Sequence, residues 1–125
     1  MVSEDLLRQL FVKKSLINND SGFQLQLTNP LTDATIVEPA KIVLKGETVE
    51  KEMYKDFQIE IEFGTRITNR EISKNCPFHF PVNAKVTLYF KRKHALPAEK
   101  YILTFTILSE EFGELKFKVK ERIRD

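Results

Sequence analysis

Phe23-Gln24-Leu25-Gln26-Leu27-Thr28 alternates apolar and polar side chains without a break. That period of two belongs to a strand with one face on a core and the other in water. The pattern returns at Phe57-Gln58-Ile59-Glu60-Ile61-Glu62-Phe63, and again where Val86, Leu88 and Phe90 alternate with Lys85, Thr87, Tyr89 and Lys91. Near the end, Leu115, Phe117, Val119 and Ile123 alternate with Lys116, Lys118, Lys120, Arg122 and Arg124. A strand with one apolar face must hide it against another. The pattern therefore predicts an all-β fold, an immunoglobulin-like antiparallel β-sandwich of seven to eight strands with at most short helical turns. A closed small barrel solves the same problem and is the alternative. The Cys, Trp, Cys spacing of true immunoglobulin domains is absent, so only the architecture is implied.

Between these runs lies turn chemistry. Residues 10–17 read as a strand leading into Asn18-Asn19-Asp20-Ser21-Gly22, whose residue types tolerate left-handed dihedrals and predict a hairpin. Asn29-Pro30 ends the second strand, and Pro39 splits the apolar run 36–44, since proline cannot donate to a ladder. Lys45-Gly46-Glu47 reads as a tight turn and Gly64 as a strand end. Thr68-Asn69-Arg70-Glu71 has the spacing of a capping box for a helix of one turn. Pro77 and Pro81 hold Phe78-His79-Phe80 extended. The run 101–108 is apolar on both sides, which predicts a central strand covered on both faces. Ser3, Glu4 and Asp5 suit a helix start, so residues 1–9 are read as a short helix or arm. The predicted core comprises the apolar positions of the alternating runs, from Phe23, Leu25 and Leu27 through Ile61 and Phe63 to Leu103, Phe105, Phe117 and Val119.

The 125 residues suit one domain, 1–125, and at that length about two-thirds of the unfolded surface is buried, enough for a core without staples. A net charge of +2, from 20 Lys and Arg against 18 Asp and Glu, argues against a chain built for nucleic acid. The lone Cys76 excludes an intramolecular disulfide and points to a reducing compartment, hence the cytoplasm. The first residues lack the basic stretch of a secretory signal, and no apolar run reaches the roughly 18 residues of a membrane span.

Little here assembles chemistry. His79 and His94 have no ligand neighbours except Cys76, three residues before His79, and Cys76 reads as a small buried thiol. Glu60 and Glu62 share a strand face at roughly 7 Å. That spacing is compatible with glycoside hydrolysis but needs a pocket that a solvated sheet face does not supply. Glu110 and Glu111 are a further acidic pair. No phosphate-cradling glycine loop, nucleophile elbow or dinucleotide fingerprint is present. No catalytic residue, metal or cofactor is expected. What stands out is the basic stripe Lys116, Lys118, Lys120, Arg122 and Arg124, all on one side of a terminal strand. It either grips an anionic surface or guards an exposed edge against pairing, with Glu60 and Glu62, or Glu47 and Glu50, as cross-strand partners. Nine of the ten Phe fall in apolar registers. Tyr54, Tyr89 and Phe112 are the aromatics placed for contact, and Tyr89 shares a strand face with Lys85 and Lys91.

Several segments together resemble a family of small β-sandwich proteins that includes the small (β) subunit of the C-glycoside deglycosidases. They are Ser15-Leu16-Ile17-Asn18, Asp20-Ser21-Gly22-Phe23-Gln24-Leu25, Leu44-Lys45-Gly46-Glu47-Thr48-Val49, residues 77–81 and Leu96-Pro97-Ala98-Glu99-Lys100-Tyr101. Leu25-Gln26-Leu27-Thr28-Asn29-Pro30 is similar to late-embryogenesis-abundant proteins of the water-stress domain. The first resemblance implies a non-catalytic interaction module, an accessory subunit of a carbohydrate-active enzyme whose catalytic residues lie on another chain. The second implies a stand-alone stress-related or anion-binding sandwich. A small enzyme using surface carboxylates is the remaining alternative. The expected partner is another protein, in a hetero-complex or homo-oligomer, with no nucleic acid and no membrane. Its contacts would come from the basic stripe and Tyr89.

Overall fold

The computed structural model describes residues 2–61 and 64–125. Two antiparallel sheets pack face to face, which is the all-β sandwich that the alternating runs predict. The first sheet has the order β1 (Ile17–Asn19), β2 (Gly22–Thr28), β9 (Lys85–Lys91), β6 (Gln58–Glu60) and β7 (Arg66–Thr68). The second is organised around β10 (Lys100–Ser109), the central strand. One edge of β10 carries β3 (Ala34–Ile36) and β4 (Lys41–Gly46) end to end, with Pro39 in the gap between them. Beyond these lie β8 (Phe78–Phe80), paired with β3, and β5 (Glu52–Tyr54), paired with β4. The other edge of β10 pairs along its whole length with β11 (Gly113–Arg122). Among the described residues there are thus eleven strands, more than the seven to eight legible in the sequence, because six are pieces of three residues.

The core is aromatic. Phe23 and Phe90 stack at 4.6 Å across β2 and β9, and Phe105 stacks on Phe117 at 4.7 Å across β10 and β11. Tyr54 projects inward from β5 and meets Phe23 and Phe90 edge-on, tying the second sheet to the first. The predicted core is buried except at Ile61 and Val119, which are half-buried, and Phe63, which lies outside the described residues with Glu62.

Several local expectations need correction. Residues 10–17 do not form one strand. Lys14 adopts a left-handed dihedral (φ 69°), and the resulting turn is held by Ser15, whose hydroxyl donates to the Val12 carbonyl and accepts from Gln26 N–H. Phe11 bridges to Leu27 of β2 before the turn, and after it Ile17–Asn19 pairs with β2 through the predicted hairpin. The turn at Asn69–Glu71 forms, but no side chain of Thr68 caps it; the residue that matters is Asn69, which is fully buried. The strand β10 is central, as its sequence implies, yet only one of its faces is covered: Ile102 is 43% exposed. Cys76 is exposed rather than buried, in a turn closed by reciprocal bonds with Ser73.

A four-residue helix, α1 (Glu4–Leu7), opens the chain, capped by the Ser3 hydroxyl on Leu6 N–H. It buries Leu7 and lies along β11. There Arg8 Nε donates to the Lys118 carbonyl at 2.9 Å and Glu4 accepts from Lys118 N–H at 3.1 Å. Two backbone groups that an edge strand would leave open are so occupied.

Candidate functional site

Alternation fixes which side chains leave the outer face of the second sheet. On β11 they are Lys116, Lys118, Lys120 and Arg122, all exposed, with Glu114 at the turn end of the row. Their partners on β10 are Thr106, Thr104, Ile102 and Lys100. These in turn face β4, where Thr106 pairs with Lys41, Thr104 with Val43 and Ile102 with Lys45. Met53 on β5 pairs with Val43 and is 59% exposed. The result is an open trough of about 420 Å³. Lys41, Lys45 and Lys51 stand on one bank, Lys116 and Lys118 on the other, and Val43, Ile102, Thr104 and Thr106 make the floor. No carboxylate lines it among the described residues.

The sequence showed one bank only. Lys41 and Lys45 alternate with Ile42 and Leu44 and so could be read as outward, but only the pairing of β4 with β10 brings them opposite Lys116 and Lys118. Arg124 departs from the row: β11 ends at Arg122, and Arg124 instead bridges to Ile17 of the first sheet, accepting from Asn18 N–H at 2.7 Å. Nor do Glu60, Glu47 or Glu50 lie across from the stripe, where the neighbours are Lys100, Ile102, Thr104 and Thr106.

Tyr89 belongs to a different surface, the outer face of the first sheet. Its ring carries the Arg66 guanidinium at 4.2 Å, and its hydroxyl donates to Glu60 at 3.1 Å, while Arg66 pairs with Glu60 at 3.1 Å. Loss of solvent, then the Glu60 contact, raises the Tyr89 hydroxyl above its ordinary value. Glu60 is thus engaged in a cross-strand cluster, while Glu62 lies outside the described residues. Phe112 is 42% exposed, in the turn joining β10 to β11.

The remaining perturbed groups hold the fold. Arg92, at the end of β9, grips Glu52 of β5 with two bonds of 3.0 and 2.9 Å, a clamp between the sheets, and its hydrogen bonds hold the Glu52 carboxyl below its usual range. Glu52 also accepts from the Tyr54 hydroxyl, which burial first and that bond second push up. Glu99 accepts from Thr48 Oγ1 at 2.5 Å and from Thr48 N–H at 2.9 Å, and these bonds lower its pKa. A side chain on Gly46 would collide with this arrangement, its Cβ falling 2.1 Å from the Glu99 carboxylate. Burial pushes the Tyr101 hydroxyl up to about 12. Glu111 is lowered by bonds from the backbone and hydroxyl of Thr35. His79 is exposed on β8, and among the described residues no three His, Cys, Asp or Glu side chains converge on a point that would hold a metal.

Against known families, the model for the hydroxymethylglutaryl-CoA reductase N-terminal domain matches residues 6–124, nearly the whole sequence. The chain belongs to that family. No curated protein matches the sequence. Membership corrects the resemblances to the C-glycoside deglycosidase small subunit and to the water-stress domain. The segments that carried them, such as Asp20-Ser21-Gly22 and Leu44-Lys45-Gly46, are turn and strand chemistry that an antiparallel sandwich needs in any family. The functional reading built on them, an interaction module accessory to a carbohydrate-active enzyme or a stress-related sandwich, falls with them, because the matched family is a domain of a reductase. Among the described residues no helix is long and apolar enough to cross a membrane.

Proposed function

We propose that this chain serves as a hydroxymethylglutaryl-CoA reductase N-terminal domain, one folding unit over residues 1–125 that works within a larger reductase protein or oligomer. The observation that carries this reading is the family match over residues 6–124. The lysine trough supports it. A face crowded with like charges around half-buried Val43 and exposed Met53 and Ile102 is costly to leave bare and suits a surface that another part of an assembly covers. On this reading Lys116, Lys118, Lys120 and Arg122 are contact residues, while Arg124, beside Ile17, and Tyr89, in the middle of the first sheet, stand apart from that surface. An exposed free thiol at Cys76 is in keeping with a cytoplasmic setting.

The test is native size and co-purifying activity. When the tagged chain is recovered from cells that carry its gene naturally, reductase activity toward hydroxymethylglutaryl-CoA should travel with it in a particle larger than a single 14.6 kDa chain. A lone monomer without that activity would defeat the reading.

A further inference from the structure

The trough on the second sheet has a shape and a chemistry that together select its occupant. Lys41 and Lys45 on β4 stand across β10 from Lys116 and Lys118 on β11. Two strand spacings separate the banks, about 10 Å, and the six residues of β4 run for about 20 Å. An α-helix with its side chains is about 10 Å across, and about four turns of it cover 20 Å. The floor is not uniformly polar. Val43 and Ile102 are diagonal neighbours on the floor, Val43 pairing with Thr104 and Ile102 with Lys45, and Met53 pairs with Val43 from β5, just beyond the trough's edge. Scattered exposed apolar side chains are ordinary, but here exposed Met53 and Ile102 flank half-buried Val43 on one face, at positions where the alternation elsewhere places Gln, Thr or Lys.

We propose that the trough seats an acidic amphipathic helix of a partner protein, its apolar stripe on Val43 and Ile102 with Met53 at the rim and its carboxylates toward the lysines of both banks. Charge complementarity commits the choice: five lysines and no carboxylate line the trough among the described residues. A small polyanion fits less well. Lysines held about 10 Å apart on opposite banks do not converge on one phosphate, and such a ligand leaves the apolar floor positions in water. Laying a helix on the open face of an antiparallel sheet completes a third layer, an arrangement that amphipathic helices adopt when they bind apolar grooves. The proposal rests on the reading of this face as a contact surface in an assembly, and adds what covers it.

The test uses the full chain and a synthetic peptide of about 15 residues, with Leu at helical spacing of three and four and Glu on both flanks, followed by fluorescence anisotropy at low salt. Micromolar binding is expected, weakened at least tenfold by Lys45→Glu with Lys118→Glu, and at least tenfold by Met53→Ser with Ile102→Ser. All four side chains are exposed or at the surface, so the variants should keep the circular dichroism of the parent. A scrambled peptide of the same composition should bind at least tenfold more weakly. Equal binding of the scrambled peptide would overturn the proposal, since charge alone would then suffice. So would displacement of the helix peptide by micromolar tripolyphosphate, or tighter binding to phosphatidylserine vesicles than to the peptide. No reductase activity enters this assay, so its failure is distinct from failure of the assembly reading.

Discussion

Asn69 offers the sharpest test of how the loops are tied to the sandwich. Its side chain is fully buried and satisfies three backbone groups: it accepts from Ala40 N–H at 3.0 Å and donates to the carbonyls of Ala40 at 2.9 Å and Lys55 at 2.7 Å. It joins the start of β4 to the loop between β5 and β6. Asn69→Ala removes all three bonds and leaves those groups buried or half-buried without partners. At about 1 kcal/mol for each bond, with part of the desolvation penalty added, the loss should be about 3 to 4 kcal/mol. Asn69→Asp keeps the acceptor for Ala40 N–H but aims a carboxylate at two carbonyl oxygens, so it should be worse than Ala by about 1 kcal/mol or more. Urea unfolding followed by circular dichroism reads both, with a midpoint lowered by about 1 to 2 M for Ala and an unchanged slope. An Ala variant within about 0.5 kcal/mol of the parent, or an Asp variant no worse than Ala, would refute the reasoning.

Phe105→Ala, in the stack with Phe117, should cost about 3 to 5 kcal/mol by urea unfolding, and a loss under about 1 kcal/mol would mean that the core closes around the gap. Glu52, Glu99 and Glu111 are all lowered in the folded protein. Their stabilisation is therefore present above the unfolded carboxyl value of about 4.3 and is lost as pH falls through the folded values. Stability measured from pH 7 to pH 3 should hold to about pH 5 and fall below it, and a flat profile down to pH 3 would contradict the assigned bonds. Replacing Lys116 and Lys118 by Gln should not promote self-association on gel filtration. Their side chains leave the face of β11 while α1 occupies part of its edge, so new oligomers in that variant would restore the edge-guarding explanation.

Where one face of a strand meets the core, sequence is enough: Phe23, Leu25 and Leu27, or Val86, Leu88 and Phe90, announce their burial two residues at a time, and they are buried. The same local signal misleads where tertiary contact overrides it. Residues 11–16 are apolar enough for a strand, but the turn at Lys14 and the Ser15 bonds to Gln26 fold them against the edge of β2. The apolar outer positions of β10 read as covered, because a local pattern cannot say that the layer above them is missing. Asn69 looked like part of a capping box, since its partners, Ala40 and Lys55, are 29 and 14 residues away. Half of the trough was hidden for the same reason. The stripe on β11 is local, but Lys41, Lys45 and Met53 join it only through strand pairing across more than fifty residues.

The claim that most needs testing is that this domain operates in a reductase assembly through its lysine face. The tagged chain and its Lys45→Glu, Lys118→Glu variant, each expressed in the native cell, can be recovered in parallel and assayed for hydroxymethylglutaryl-CoA reduction. The account predicts that activity accompanies the parent chain and falls at least tenfold with the variant at equal recovery of folded protein. Activity absent from both, or equal in both, would contradict it.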